Sequence, residues 1–162
     1  MRRREFITLL GLLSLGGAAA LWRNLTSFWR PRFNERTAET VTAVVDLMFP
    51  GDGLPGATEL GIHNRIITMT DLHVLMAYGV VWLDGQATRQ GARDFLALDD
   101  VGKLAAVEAA FASKGHNARQ FVQTIRFYAG LKYYSEPVVK AAFPYTGPPQ
   151  PDGFADFQNP PK

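Results

Sequence analysis

The sequence contains no cysteine. Disulfide bonds, thiolate metal sites, a haem-attachment C-x-x-C-H motif and a cysteine nucleophile are therefore excluded on this chain. Its three histidines, His63, His73 and His116, do not form the H-x-x-x-H or H-E-x-x-H spacing of a metal site. A G-x-S-x-G nucleophile motif and a glycine-rich motif after a strand are also missing. We therefore expect no catalytic residue, no metal ligand and no cofactor site here, which favours an accessory role over that of an enzyme.

Positive charge is largely confined to the start of the chain. Residues 1–36 hold seven arginines and two glutamates, a net charge of +5, whereas residues 37–162 carry a net charge of −3. The larger part of the chain thus has no basic patch, and nucleic acid is not an expected partner.

The segment Met1 to Trp22 has the layout of an export signal. Three arginines precede an uncharged run from Phe6 to Trp22, and Ala18-Ala19-Ala20 offers small residues to a peptidase. The arginine pair before Glu-Phe-Ile resembles a twin-arginine signal, which a receptor reads as an address for folded cargo. The residues expected to carry it are Arg3, Arg4 and Phe6. An ordinary secretion signal and a retained membrane helix remain alternatives, although the run is slightly short of the roughly 20 apolar residues that span a bilayer.

Residues 34–134 have the periodicity of helices. Val41, Val44, Val45 and Met48 recur at helical spacing, and no stretch alternates at period two as a strand would. Helix starts are expected at the polar residues Asn34, Thr58, Thr70, Asp99 or Asp100, and Asn117. The Gly- and Pro-rich stretch 49–58 predicts a rigid turn. We therefore predict an all-α fold, a small irregular bundle of about five helices, after a signal or anchor helix (1–22) and a linker (23–33).

Residues 135–162 differ in character, because they hold seven of the ten prolines together with several aromatic residues. Proline at this density excludes a long helix or a central strand. A solvated disordered tail would be poor in aromatic residues. The composition therefore predicts an extended arm that lies across another protein, with packing against its own helical bundle as the alternative.

Several motifs in order resemble the gluconate 2-dehydrogenase subunit 3 family, the small subunits of bacterial membrane-bound FAD-dependent sugar and polyol dehydrogenases. The resemblance covers nearly the whole chain. Its motifs are the signal RRREFITLLG, the turn MFPGDGLPGA (48–57), the segment RDFLALD (93–99), YYSEP (133–137) and YTGPPQPDG (145–153). Some members of that family carry cysteines, whereas this chain has none. A disulfide crosslink to a partner is therefore not expected here.

The resemblance implies a non-catalytic small subunit of a periplasmic dehydrogenase complex. Such a subunit helps a large flavoprotein of the glucose-methanol-choline oxidoreductase type to fold and escorts it through the twin-arginine pathway. A multihaem cytochrome c subunit completes the complex, so FAD and c-type haem would reside in the partners. The expected location is the periplasmic side of the bacterial inner membrane. The residues expected to dock the partner are Tyr133, Tyr134, Pro137, Tyr145, Pro148, Pro149 and Pro151.

Two other functions remain open at this point. The first is a membrane-anchored structural subunit of a larger respiratory electron-transfer assembly, which would keep the N-terminal helix. The second is an independent small periplasmic enzyme or ligand carrier. The tyrosine pair Tyr133 and Tyr134 likewise has an alternative role, as part of the core of the helical bundle.

Overall fold

The computed structural model describes residues 30–143, and within that range the chain forms helices and turns without a β-strand. The six α-helices are α1 (Glu35–Met48), α2 (Ile62–Ile67), α3 (His73–Arg89), α4 (Asp100–Ala112), α5 (His116–Tyr133) and α6 (Pro137–Ala142). Two 3-10 turns, Thr70–Leu72 and Phe95–Ala97, precede α3 and α4. The predicted all-α class is confirmed for this range. The predicted signal or anchor helix, 1–22, and linker residues 23–29 lie outside it.

Two predicted helix starts are confirmed with their hydrogen bonds. The side chain of Asn34 accepts a hydrogen bond of 2.9 Å from the backbone N–H of Thr37, whose hydroxyl in turn accepts from the backbone N–H of Asn34. This reciprocal capping box satisfies two N–H groups that have no partner inside α1. Asp99 caps α4 with a single hydrogen bond, in which its carboxylate accepts from the backbone N–H of Gly102 at 2.8 Å.

The other predicted starts are wrong by one turn or less. Helix α2 begins at Ile62 instead of near Thr58, because residues 58–61 form a turn that ends in Gly61 with a positive φ of 68°. Thr70 opens a 3-10 turn, and α3 follows it. Helix α5 begins at His116, one residue before the predicted cap, and no side chain caps it. Just past the other end of α3, Gly91 has a left-handed backbone, with φ of 83°.

Helices α3 and α5 form the centre of the bundle and share its most extensive contact. Gly79 on α3 makes this contact close, because a Cβ at that position would overlap the ring of Phe121 on α5. Phe121 is fully buried there, and helices α1, α2 and α4 pack around the pair. The predicted inner face of α1 is confirmed, since Val41, Val44 and Val45 are fully buried.

The region after α5 differs from its prediction. An extended conformation was expected from Ser135 onward, but residues 137–142 form α6, so that expectation is wrong for this stretch. Pro137 occupies the first turn of α6, where the missing N–H costs no hydrogen bond. Val139 is fully buried in the common core, which fixes α6 to the bundle. The helical body therefore reaches Ala142 instead of ending at 134, and the rest of the predicted arm lies outside the described residues.

A charged cluster ties the start of α1 to the end of α3. The guanidinium of Arg36 lies 2.7 Å from a carboxylate oxygen of Asp84 and 3.6 Å from one of Asp94. Asp84 also accepts a hydrogen bond of 3.0 Å from the backbone N–H of Phe95. The carboxylate of Asp94 also accepts a hydrogen bond of 2.9 Å from the guanidinium of Arg93. This bond is the main reason that the pKa of Asp94 is lowered. The cluster thus holds three separate parts of the chain together.

Candidate functional site

An aromatic cluster forms where α1 ends and α5 ends. Phe49 packs against Tyr133 and Tyr134, with ring centroids 5.4 and 6.2 Å apart. Phe143, just after α6, meets Tyr134 edge-on at 6.0 Å. The cluster therefore joins two of the motifs described above, the turn beginning at Phe49 and the YYSEP segment, which are about eighty residues apart in sequence.

A groove of about 450 Å³ opens beside this cluster, between α1, α4 and α5. We call it the aromatic groove; its lining residues are Leu47, Met48, Phe49, Leu104, Val107, Glu108, Phe111, Arg126, Gly130 and Tyr134. Gly130 lies directly against Phe49, since a Cβ at that position would be in van der Waals contact with the Phe49 ring, at 3.4 Å. The guanidinium of Arg126 lies 6.0 Å from the centre of the Phe111 ring. Among residues 30–143 no carboxylate pairs with Arg126, so this cation faces the groove with its charge uncompensated by an ion pair.

The outward face of α5 continues this apolar surface. Phe127, Leu131 and Tyr134 recur at i, i+4 and i+7, so they form one row along the helix, which we call the α5 ridge. Their exposed fractions are 63%, 57% and 54%. A row of large apolar side chains at this exposure marks a contact surface more often than a free surface. The ridge borders the aromatic groove on one side, since Tyr134 belongs to both.

The tyrosine pair predicted to dock a partner is divided by the structure. Tyr133 is 6% exposed and belongs to the core, as the alternative interpretation proposed, whereas Tyr134 is exposed on the ridge. Pro137 is exposed at the start of α6. The other predicted docking residues, Tyr145, Pro148, Pro149 and Pro151, lie outside the described residues, as do the predicted signal residues Arg3, Arg4 and Phe6.

Sequence reasoning missed the ridge. Leu104 on α4 is 47% exposed and lines the aromatic groove. Phe127 and Leu131 were not singled out at all. The signal that could have found them is the second apolar row on α5, offset from the buried row of Phe121 and Ile125. A helix with two apolar rows needs a packing surface for each row. Among the described residues, the bundle covers the row of Phe121 and Ile125 and leaves the other row exposed.

Helix α3 carries a second exposed row. Val74, Tyr78 and Val81 lie at i, i+4 and i+7 and are 65%, 37% and 57% exposed. Gly85 continues the row by one more turn, and a Cβ there would meet no atom within 4 Å. We call this row the α3 stripe. Helices α3 and α5 meet through Gly79 and Phe121, so neither outer row lies in that contact.

The described residues were compared with the requirements of a metal site, of a shifted titratable group and of a membrane-spanning helix. No group of three or more histidine, aspartate or glutamate side chains among them is placed to hold a metal ion. Burial, followed by the nearby charge of Asp52, raises the pKa of the Tyr133 hydroxyl, so this group stays protonated at neutral pH. Within residues 30–143, moreover, no helix combines the length and the apolar character needed to cross a bilayer. What the described residues do present is exposed apolar surface beside the aromatic groove and along α3.

Comparison with known proteins identifies the family. The family described as "Gluconate 2-dehydrogenase subunit 3" matches residues 35–147, well over half of the chain. No curated protein and no solved structure matches the chain significantly. The matched range contains both the aromatic groove and the α5 ridge, together with the turn that begins at Phe49. The chain belongs to the gluconate 2-dehydrogenase subunit 3 family.

Proposed function

We propose that this protein is the non-catalytic small subunit of a periplasmic FAD-dependent sugar or alcohol dehydrogenase. Its family supports a role as one subunit of a dehydrogenase complex. The observation that carries the proposal is the α5 ridge, whose large apolar side chains are more than half exposed beside an aromatic groove. Aromatic residues and arginine are the side chains that most often dominate binding energy at protein interfaces.

The proposed partner is the large flavoprotein of the complex, of the glucose-methanol-choline oxidoreductase type. In this proposal FAD is bound by that flavoprotein and c-type haem by a multihaem cytochrome subunit, and neither is bound by this chain. Burial of Phe127, Leu131 and Tyr134 against the flavoprotein would remove their apolar surface from water, which contributes about 25 cal/mol per Å² before the costs of association. Arg126 would meet a carboxylate or backbone carbonyl of the partner.

The second part of the proposal is escort. The N-terminal arginine pair, Arg3 and Arg4, followed by Phe6, supports export by the twin-arginine pathway, which transports folded proteins. The flavoprotein would then travel bound to the ridge, and the complex would act on the periplasmic side of the inner membrane. Binding to the folded flavoprotein would also stabilise the folded state of this small subunit by mass action.

The test coexpresses this chain with its proposed flavoprotein partner and measures co-purification and the compartment that holds the flavoprotein. We expect Phe127→Asp with Leu131→Asp to reduce co-purification at least tenfold, because two buried carboxylates at an apolar interface are costly. Arg3→Lys with Arg4→Lys should leave co-purification intact but keep the flavoprotein in the cytoplasm.

The matched control is Val74→Asp, a substitution at a residue equally exposed but on the α3 stripe. It should leave both readings unchanged. Equal co-purification for the ridge variant and the control would reject the ridge as the docking surface. Export of the flavoprotein despite the arginine substitutions would reject the escort role.

A further inference from the structure

One wall of the aromatic groove is a row of side chains along α4. Leu104, Glu108 and Phe111 line the groove at i, i+4 and i+7, a spacing that places them on one face of the helix. Seven residues of helix rise about 10 Å, so this wall is about two turns long. Its two ends are apolar, and the carboxylate of Glu108 lies on the same row between them.

The opposite wall is a row of similar length along α5. Arg126 and Gly130 on the helix and Tyr134 directly after it line the groove at i, i+4 and i+8, which corresponds to about 12 Å. Phe49 lies against Gly130 and Tyr134. The guanidinium of Arg126 lies instead beside the Phe111 ring, 6.0 Å from its centre. The groove therefore has a cationic end at Arg126 and an aromatic end at Phe49 and Tyr134.

The two charged groups of the groove have no counter-ion among residues 30–143. Neither Arg126 nor Glu108 makes an ion pair with another described residue, and the two do not pair with each other. An occupant that fills the groove removes water from both groups, and charges that lose water without gaining a partner are costly. The complementary occupant thus brings a carboxylate to Arg126 and a hydrogen-bond donor, such as a backbone N–H, to Glu108.

The size of the groove matches a short stretch of polypeptide. The spacings of β-structure, about 3.3 Å along a strand, 4.8 Å between strands and 10 Å between sheets, give an extended residue about 160 Å³. The groove volume of about 450 Å³ is therefore close to that of three extended residues. Three extended residues also span about 10 Å, which is the length of the α4 wall.

We infer that the aromatic groove binds a short extended segment of the flavoprotein, with a carboxylate on Arg126 and a large apolar side chain against Phe49 and Tyr134. Residues i and i+2 of an extended chain point to the same side about 7 Å apart, so one residue separates the carboxylate from the apolar side chain. Tyr134 also belongs to the α5 ridge, so the segment continues the proposed docking surface. The inference rests on the proposed function, which supplies the flavoprotein as partner.

The first test reverses the charge at the cationic end of the groove in the coexpressed complex. Arg126→Glu should reduce co-purification of the flavoprotein about tenfold or more, because the carboxylate of the bound segment would then face a like charge. Arg126 is exposed, so the substitution should leave the helix content of this chain unchanged, which circular dichroism checks.

The matched control is Arg119→Glu, which makes the same charge change on the same helix two turns earlier. Arg119 is also exposed, and its side chain lines a different groove, near the start of α5. Co-purification should fall less than about threefold in this variant, since exposed charges outside a contact contribute little. Equal losses for the two variants would show a general effect of charge and would overturn the inference.

The second test identifies the occupant by photo-crosslinking in the same complex. The photoreactive residue p-benzoylphenylalanine replaces Leu104 on the groove wall or, as a control, Val81 on α3, and mass spectrometry identifies the attached peptide. The two positions have similar exposed fractions, 47% and 57%. We expect position 104 to attach to a flavoprotein peptide in which one residue separates a carboxylate from a large apolar side chain. Position 81 should not attach to that peptide.

The outcomes separate the inference from the proposed function on which it rests. Attachment of position 104 to a flavoprotein segment without a carboxylate, to a second copy of this chain, or to this chain itself would overturn the inference. Co-purification of the flavoprotein without any attachment at position 104 would do the same. If the unsubstituted chain does not co-purify with the flavoprotein, the proposed function fails and the inference fails with it.

Discussion

Helices α3 and α5 have the same relation to the core but different surroundings on their outer faces. Each packs inward through one side, at Gly79 and Phe121, and each leaves an apolar row on the other. The α5 ridge has larger side chains and borders a groove with three aromatic rings and the cation of Arg126. The α3 stripe is smaller, borders the cluster of Arg36 and Asp84, and lies where the chain enters the body.

The two rows therefore differ in their surroundings, although their helical spacing is the same. An apolar row next to aromatic rings and an arginine has the composition of a protein–protein interface. The α3 stripe instead borders Pro31 and Arg32, the residues that precede α1. Amphipathic patterns alone do not separate these cases, because both rows have the same helical spacing.

The largest expected effect separates the inner from the outer side of α5. Tyr133→Ala should lower the free energy of unfolding by about 3–5 kcal/mol, since it empties a buried site in the core. Tyr134→Ala should change it by less than about 1 kcal/mol but weaken the contact with the partner. Urea denaturation of the full chain, followed by circular dichroism, measures both. Similar losses for the two variants would mean that Tyr134 supports the core and not the ridge.

The next effect compares the inner and outer sides of α3. Gly79→Ala places a Cβ on the Phe121 ring and should cost about 1–3 kcal/mol, because the two central helices must move apart. Gly85→Ala on the same helix should instead stabilise the protein by about 0.5–1 kcal/mol through helix propensity. Thermal unfolding of the two variants gives opposite shifts in Tm. Equal destabilisation by both would contradict the close contact of α3 with α5.

The smallest effect concerns the charged cluster beside the α3 stripe. The hydrogen bond from Arg93 holds the pKa of Asp94 below its ordinary value of 3.8, so folding favours the ionised form. The stabilisation is present above pH about 4 and is lost as the pH falls through the lowered pKa. Asp94→Asn should therefore lower Tm more at pH 7 than at pH 3. Asp100→Asn, at a side chain that is 94% exposed, should show a much smaller difference at both values.

Local patterns predicted most of the fold. Asn34 and Asp99 were recognisable as helix caps, and the inner row of α1 followed from spacing, because these features depend on neighbours in sequence. Helix α6 was not predicted, since the proline density excluded a long helix and the segment after Ser135 was expected to be extended. The deciding contact is the burial of Val139 in a core formed by distant residues, together with an ion pair between Glu136 and Arg65. Neither contact can be read from the local sequence.

The candidate site was predicted in part. Tyr134 was recognised from the YYSEP motif, but the motif does not show that its neighbour Tyr133 turns inward. That difference depends on the 100° between consecutive residues of a helix and on the position of Phe49. Phe127 and Leu131 were missed because an exposed apolar row becomes visible only when the packing of the other elements is known.

The aromatic groove also sets an order of events during synthesis. Its walls come from residues 47–49, 104–111 and 126–134, so it cannot exist on a nascent chain that has not yet reached residue 134. The N-terminal arginine pair, in contrast, emerges from the ribosome first. If the groove holds the flavoprotein, that partner can bind only after translation is nearly complete. If residues 1–22 also act as an export signal, transport would have to wait until the groove has formed.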